Sequence, residues 1–300
     1  MSHSHHRHAP VNAWTLNVLV LAFLFFCGVG HAAECNLSYP QLRAEALELL
    51  RSKFPEQKFE VGSAPDVIRM GDAELGLQNL RSKLCASSSL SKPQRHDELV
   101  EYFERMVSSI KNSQSNLSMP WALARDKVRV QFMHADYLRP FEGKRVLVTR
   151  PFIPDVHIAV VVDQPTGYVY VREEDRVRWR IGEKVLFETA LKNVDVNYKS
   201  ARLQGGGKPD PFLASEEKDG YDAIRLLLPW VRSEASKHLG NPFFASISNR
   251  DFLIMWGIDN SAYFQERARQ NIALDYGSQP YKLSPLVLKV WADGRVEVAK

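Results

Sequence analysis

Two short runs limit the fold of this 300-residue chain more than any other feature. "IAVVV" (158–162) and "FLIMW" (252–256) are apolar at every position. A half-buried strand alternates apolar with polar residues, so an unbroken run has to bury both of its faces. Runs this short cannot cross a bilayer. Each therefore predicts a central strand covered by helices.

Antiparallel pairing signals surround both runs. "VHIAVVVD" and "YVYVRE" flank a Pro-Thr-Gly turn, and "PFFASIS" and "FLIMWG" flank Asn-Arg-Asp. Near the end, "PLVLKVW" and "RVEVA" flank Asp293-Gly294, a strong hairpin signal. "DVNYKSARLQ" (195–204) and "DPFLASEE" (210–217) read as two more strands around the loop "GGGKPD". Short alternating runs over 58–80 predict two or three antiparallel strands. Helical spacing recurs between them. It places Leu42, Ala46, Leu49 and Leu50 on one face over 39–54, and Leu99, Phe103 and Val107 on one face over 95–111. Further helices are expected at about 183–193 and at 262–276. Strand–strand–helix thus recurs three times before a closing hairpin. The expected fold is α+β: an antiparallel sheet built from these repeated units, with a small N-terminal α+β module.

The start of the chain reads as an address. A polar leader is followed by "WTLNVLVLAFLFFCGVG" (14–30) and by small residues at Gly30 and Ala32. This is the layout of a secretory signal peptide, 1–32, cleaved after Ala32 or, failing that, Ala33. The alternative is an uncleaved anchor in the inner membrane. His3, His5, His6 and His8 resemble a metal tract but fall in the leader. The polar, Ser- and Asn-rich segment "NSQSNLSMP" (112–120) is the best linker, with a boundary near 118. It separates a module of 33–118 from a domain of 119–300. Cys35 and Cys85 remain after cleavage, an even number for an oxidising compartment. They predict one disulfide, from the new amino terminus to the end of the first strand region, worth about 4 kcal/mol in the chain-entropy model. Two buried free thiols are the alternative. The formal charge of +4 falls to +3 when Arg7 leaves with the leader. Such a balance argues against nucleic acid as a partner.

The densest chemistry lies in "EEKDGYDAIRLLLPW" (216–230). Asp219 and Asp222 stand three apart before an apolar pattern, as an N-cap and the acid of a capping box would. Pro229 predicts a break, with one short helix to about Leu227 and a second from Pro229 to Gly240. Calcium is the rival use of Asp210, Glu216, Glu217, Asp219 and Asp222, although the spacing is not that of an EF-hand. Acid–base work by Asp219 with Asp222 is another. "RVRWR" (176–180), taken as a strand, lines Arg176, Arg178 and Arg180 on one face that could meet phosphate or carboxylate, whereas a helix would scatter them. Glu173, Glu174 and Asp175 precede it and could pair with them. "LQGGGKPD" (203–210) fails as a phosphate loop, since Pro209 follows Lys208. His96, His134, His157 and His238 are scattered. There is no zinc motif, Cys-x-x-Cys or nucleophile elbow, and neither metal nor cofactor is expected.

"DGYDAIR" (219–225), opening a helix after a strand, resembles the motif of the YtpQ-like family of uncharacterised bacterial proteins. "RVLVTRPFIPDV" and "FFASISNRDFLIMWG" are similar to that family's segments around its hairpins. The signal peptide and Pro229 depart from the family pattern. The resemblance implies a fold and supplies no activity.

These readings favour an exported, periplasmic or secreted protein that binds a cell-envelope protein or ligand without turning it over. Asp219, Tyr221, Asp222, Arg225, Arg176, Arg178 and Arg180 are the candidate binding residues. A hydrolase of envelope material, using these acids and a histidine, is the alternative.

Overall fold

Ser38 starts the first helix. In the structure, a computed structural model describing residues 36–299 apart from 63, 72, 87–89, 118, 142–144, 165–166, 199–202 and 218, its hydroxyl accepts the Gln41 N–H at 3.4 Å. The Gln41 side chain returns the bond to the Ser38 N–H at 3.1 Å. This reciprocal box satisfies two otherwise orphaned donors. The helix α1 (Tyr39–Lys53) then buries Leu42, Ala46, Leu47 and Leu50. A three-stranded antiparallel sheet follows, β1 (Phe59–Val61), β2 (Val67–Met70) and β3 (Ala73–Gly76). The helices α2 (Gln78–Ala86) and α3 (Lys92–Leu117) complete this part. Leu99, Phe103 and Val107 of α3 join α1 and the sheet in a core drawn from residues 42–107 alone.

Two expectations need correction here. Cys85 lies in a helix and not at the end of a strand region. The segment expected as a linker is helical as far as Leu117. Polar composition does not by itself break a helix, and no proline interrupts this one before Pro120.

A short helix, α4 (Trp121–Ala124), leads into a four-stranded sheet. Its strands are β4 (Val128–His134), β5 (Thr149–Ile153), β6 (Val156–Gln164) and β7 (Gly167–Tyr170). The strand β6 is central, paired antiparallel with β4 on one side and with β5 and β7 on the other. Its apolar run divides as expected. Val160 and Val162 face the main core, while Ala159 faces a smaller cluster with Met133 and Leu147. The strands β4 and β5 were not foreseen.

"RVRWR" is not a strand. It belongs to the helix α5 (Glu173–Trp179), and Arg180 closes it in left-handed geometry at φ 56°. Three acids in the first turn favour the positive end of the helix dipole. Asp175 also accepts the Arg172 N–H at 3.0 Å, and Trp179 is buried with its Nε1–H on the Met119 carbonyl at 2.8 Å. The next helix, α6 (Glu183–Tyr198), consumes the first half of the strand expected at 195–204. Among the described residues of that segment β8 (Gln204–Gly206) is extended, so two of the three loop glycines are in a strand. A Cβ on Gly205 would lie 2.0 Å from the Phe212 carbonyl oxygen, which only glycine avoids.

The second large sheet has the order β13-β12-β10-β11-β9-β8, antiparallel throughout. Besides β8 it contains β9 (Phe212–Ser215), β10 (Phe243–Ser246), β11 (Leu253–Gly257), β12 (Leu288–Val290) and β13 (Val296–Val298). A 3-10 helix (Ala223–Leu227) and α7 (Pro229–Leu239) lie between β9 and β10, divided at Pro229 as expected. The strand β11 carries the second apolar run. Leu253 and Met255 enter the main core; Ile254 and Trp256 pack under α8 (Ala262–Ser278) with Ala268 and Ile272. The main core draws on residues 124–290. Contacts tie this part to the first: α2 meets α8, α3 meets β7, and the Tyr281 N–H donates to Asn79 Oδ1 at 2.8 Å.

Candidate functional site

The heptad 219–225 folds into an ion cluster. Arg225 is 1% exposed and lies between two carboxylates, Asp222 through Nη1 at 2.5 Å and Asp219 through Nη2. Asp222 is fully buried and also accepts the Ser215 hydroxyl at 2.6 Å and the Glu217 N–H at 2.9 Å. Asp219 takes the Tyr221 N–H at 2.9 Å, and the Tyr221 hydroxyl donates to Asp163 of β6 at 3.0 Å. The Gly220 carbonyl accepts from Gln131 of β4 at 2.5 Å. Residues expected as a cap therefore stitch β9, β6 and β4 together. Asp222 precedes the 3-10 helix and makes no side-chain cap bond, so the capping-box reading is corrected. The reason is Arg225. It returns one turn later to the same side, and a buried carboxylate needs a counter-charge more than a surface helix needs a cap.

The other candidates are dispersed. Arg176 pairs with Glu173 at 2.7 Å and Arg178 with Asp175 at 2.5 Å, while Arg180 is exposed. Self-pairing leaves no row of cations on one face. His238 is exposed and bonded to Glu234 at 2.7 Å. The His134 ring accepts the Asp136 N–H at 3.2 Å, and His96 is exposed on α3. His157 is half-buried on β6, and burial lowers its pKa. None joins Asp219 and Asp222. Among the five acids weighed for calcium, Asp210 receives Ser261 instead, at 2.6 and 2.9 Å. No group of three or more His, Cys, Asp or Glu among the described residues is placed to hold a metal. Cys35 and the leader lie outside the described residues.

Carboxylates do converge elsewhere. A cleft of about 250 Å³ is lined by Glu216, Asn249, Asp251, Phe252, Asp275, Gln279 and Pro280. It forms where the β10–β11 turn meets the end of α8 and the segment after β9. Asp275 is its least ordinary member. The Ser248 hydroxyl and the Asn249 amide (2.6 Å) both donate to its Oδ2. It forms no ion pair within the described structure. The fully buried acids Asp175 and Asp222 each face an arginine. Burial raises the Asp275 pKa, and Glu216 raises it further by like charge, outweighing the two hydrogen bonds that lower it.

The turn is held firmly. Asn249 Oδ1 accepts the Asp251 N–H at 2.8 Å, and Asp251 pairs with Arg250 at 3.1 Å. The Arg250 guanidinium stacks 3.6 Å from the centre of the Tyr281 ring and 5.9 Å from that of Tyr168. Burial opposes its charge, but Tyr168, Asp251 and Tyr281 outweigh burial and raise its pKa. Tyr281 adopts φ 56°, rare for a side-chain-bearing residue, while its carbonyl accepts the Arg250 N–H at 3.0 Å. Asn249, Asp251 and Asp275 were not singled out in the sequence. Only "NRD" as a turn was visible, and Asp275 is brought to it by tertiary packing.

No family model, no curated protein and no solved structure matches the chain.

Proposed function

We propose that this chain is an exported cell-envelope protein that binds a partner or ligand without turning it over, and that the acidic cleft takes a cationic group. Asp275 carries the proposal. A part-buried carboxylate held by neutral donors lacks a counter-charge, and a bound ammonium or guanidinium would supply one. Glu216 on the same cleft acts on Asp275 as a like charge and adds negative potential. Export rests on the leader at 1–32. No helix among the described residues is long and apolar enough to cross a membrane. A disulfide between Cys35 and Cys85 belongs to the same proposal, resting on the even number of cysteines that remain after the leader. Membership of the YtpQ-like family rests on the quoted segments, above all "DGYDAIR".

The test is a thermal-shift series with small amines and guanidines, putrescine and arginine among them, on the intact protein and on Asp275→Asn. A saturable rise in Tm that the substitution abolishes supports the cleft. No rise, or an equal rise in both proteins, removes it. A hydrolase is the second reading, favoured by the raised Asp275 carboxyl, since a general acid must hold its proton. Turnover of envelope polymer that disappears in Asp275→Asn would select the hydrolase instead.

A further inference from the structure

Arg129 is the other buried arginine among the described residues, and it is built unlike Arg225. It lies in the middle of the sequence "KVRVQF" on β4, 7% exposed, opposite Val161 of the central strand β6. Its Nη1 donates to two backbone carbonyls, those of Asp126 at 2.7 Å and Val128 at 2.8 Å. No carboxylate among the described residues pairs with it. Asp163, the diagonal neighbour by register on the same face of β6, serves the Tyr221 hydroxyl instead. The Arg129 Nε is buried without a partner. Among the described residues its Nη2 makes no hydrogen bond either, and it is not fully buried.

Nε and Nη2 form the side of the guanidinium whose two parallel N–H groups match the spacing of two oxygens on a carboxylate or phosphate. Two carbonyls orient the group from its other end, which fixes the direction of that free edge. A cation removed from water with no counter-ion is costly unless something meets it. If Arg129 only tied down the turn before β4, Nη1 alone would suffice, and a lysine would reach the same carbonyls. The unused fork is the feature that such a role leaves unexplained.

We infer that the Nε–Nη2 edge of Arg129 is a binding site for one oxyanion, a carboxylate or a phosphate, gripped side-on. The site is distinct from the acidic cleft and needs the opposite charge in its ligand. The two can therefore fail separately.

The test uses the intact protein with inorganic phosphate and, in a parallel arm, acetate, each at constant ionic strength set with chloride. The signal is the Arg129 Nε–H resonance in a nitrogen-15 spectrum, assigned by its loss in Arg129→Lys. Saturable movement of that resonance is expected with at least one of the two anions, along with a rise in Tm. Arg129→Lys, which keeps the charge and loses the fork, should weaken the apparent affinity at least tenfold. A resonance that moves with neither anion overturns the site. An equal Tm rise in wild type and Arg129→Lys overturns it too, because the effect is then general screening. If Arg129→Lys does not fold, the wild-type titration decides alone, with assignment by through-bond correlation.

Discussion

Arg225 and Asp275 show two fates for buried charge. Arg225 satisfies two carboxylates at once, and its removal would take this cation from both. Arg225→Ala is expected to cost about 3–5 kcal/mol, read by chemical denaturation at neutral pH. A loss below 1 kcal/mol would mean that the cluster is dispensable. Asp275 behaves oppositely. Its folded pKa is raised, so folding favours the protonated form. The stability linked to Asp275 is fully present below its unfolded pKa of about 3.9 and is lost as pH rises through the higher folded value. Asp275→Asn retains an acceptor for Ser248 and Asn249 without the charge. It should flatten this part of the Tm–pH profile and raise Tm at neutral pH; an unchanged profile would contradict the sign. Neither fate was legible in the chain. "DGYDAIR" permits a cap and an ion cluster equally, because three-residue spacing serves both. Which one forms depends on whether the heptad is buried, and that is decided by β9, β6 and β4 closing around it.

At the scale of elements, legibility followed the strength of the local signal. Hairpins with Asn-Arg-Asp or Asp-Gly turns, the break at Pro229 and the helices with apolar stripes were readable, because each has a local physical cause. "RVRWR" left strand and helix open, because its alternation imitates a strand. The deciding information lay just upstream, in three acids placed for a helix start. Linker composition misled for a related reason, since polarity marks exposure and does not by itself unwind a helix. The apolar stripe of α3 offers a direct check. Phe103 is fully buried among α1, α3 and the small sheet. Phe103→Ala should cost about 3–5 kcal/mol by loss of packing and creation of a cavity. Calorimetry would show whether that loss falls on one transition or on the whole unfolding curve.

The described residues form two principal cores, drawn from 42–107 and from 124–290, with a polar contact between the parts. Asn79 lies at this meeting point, bonded to the Tyr281 N–H beside the Arg250 stack. Asn79→Ala is expected to cost about 1 kcal/mol. Hydrogen exchange at the Tyr281 amide should quicken while protection within β11 persists. Equal acceleration in both would mean that the parts open together. Both outer strands of the six-stranded sheet, β8 and β13, are three residues long. A foreign chain approaching either rim meets few unpaired backbone groups, and at β8 it meets glycines that offer no side chain to grip. The sheet is thus poorly suited to templating its own extension.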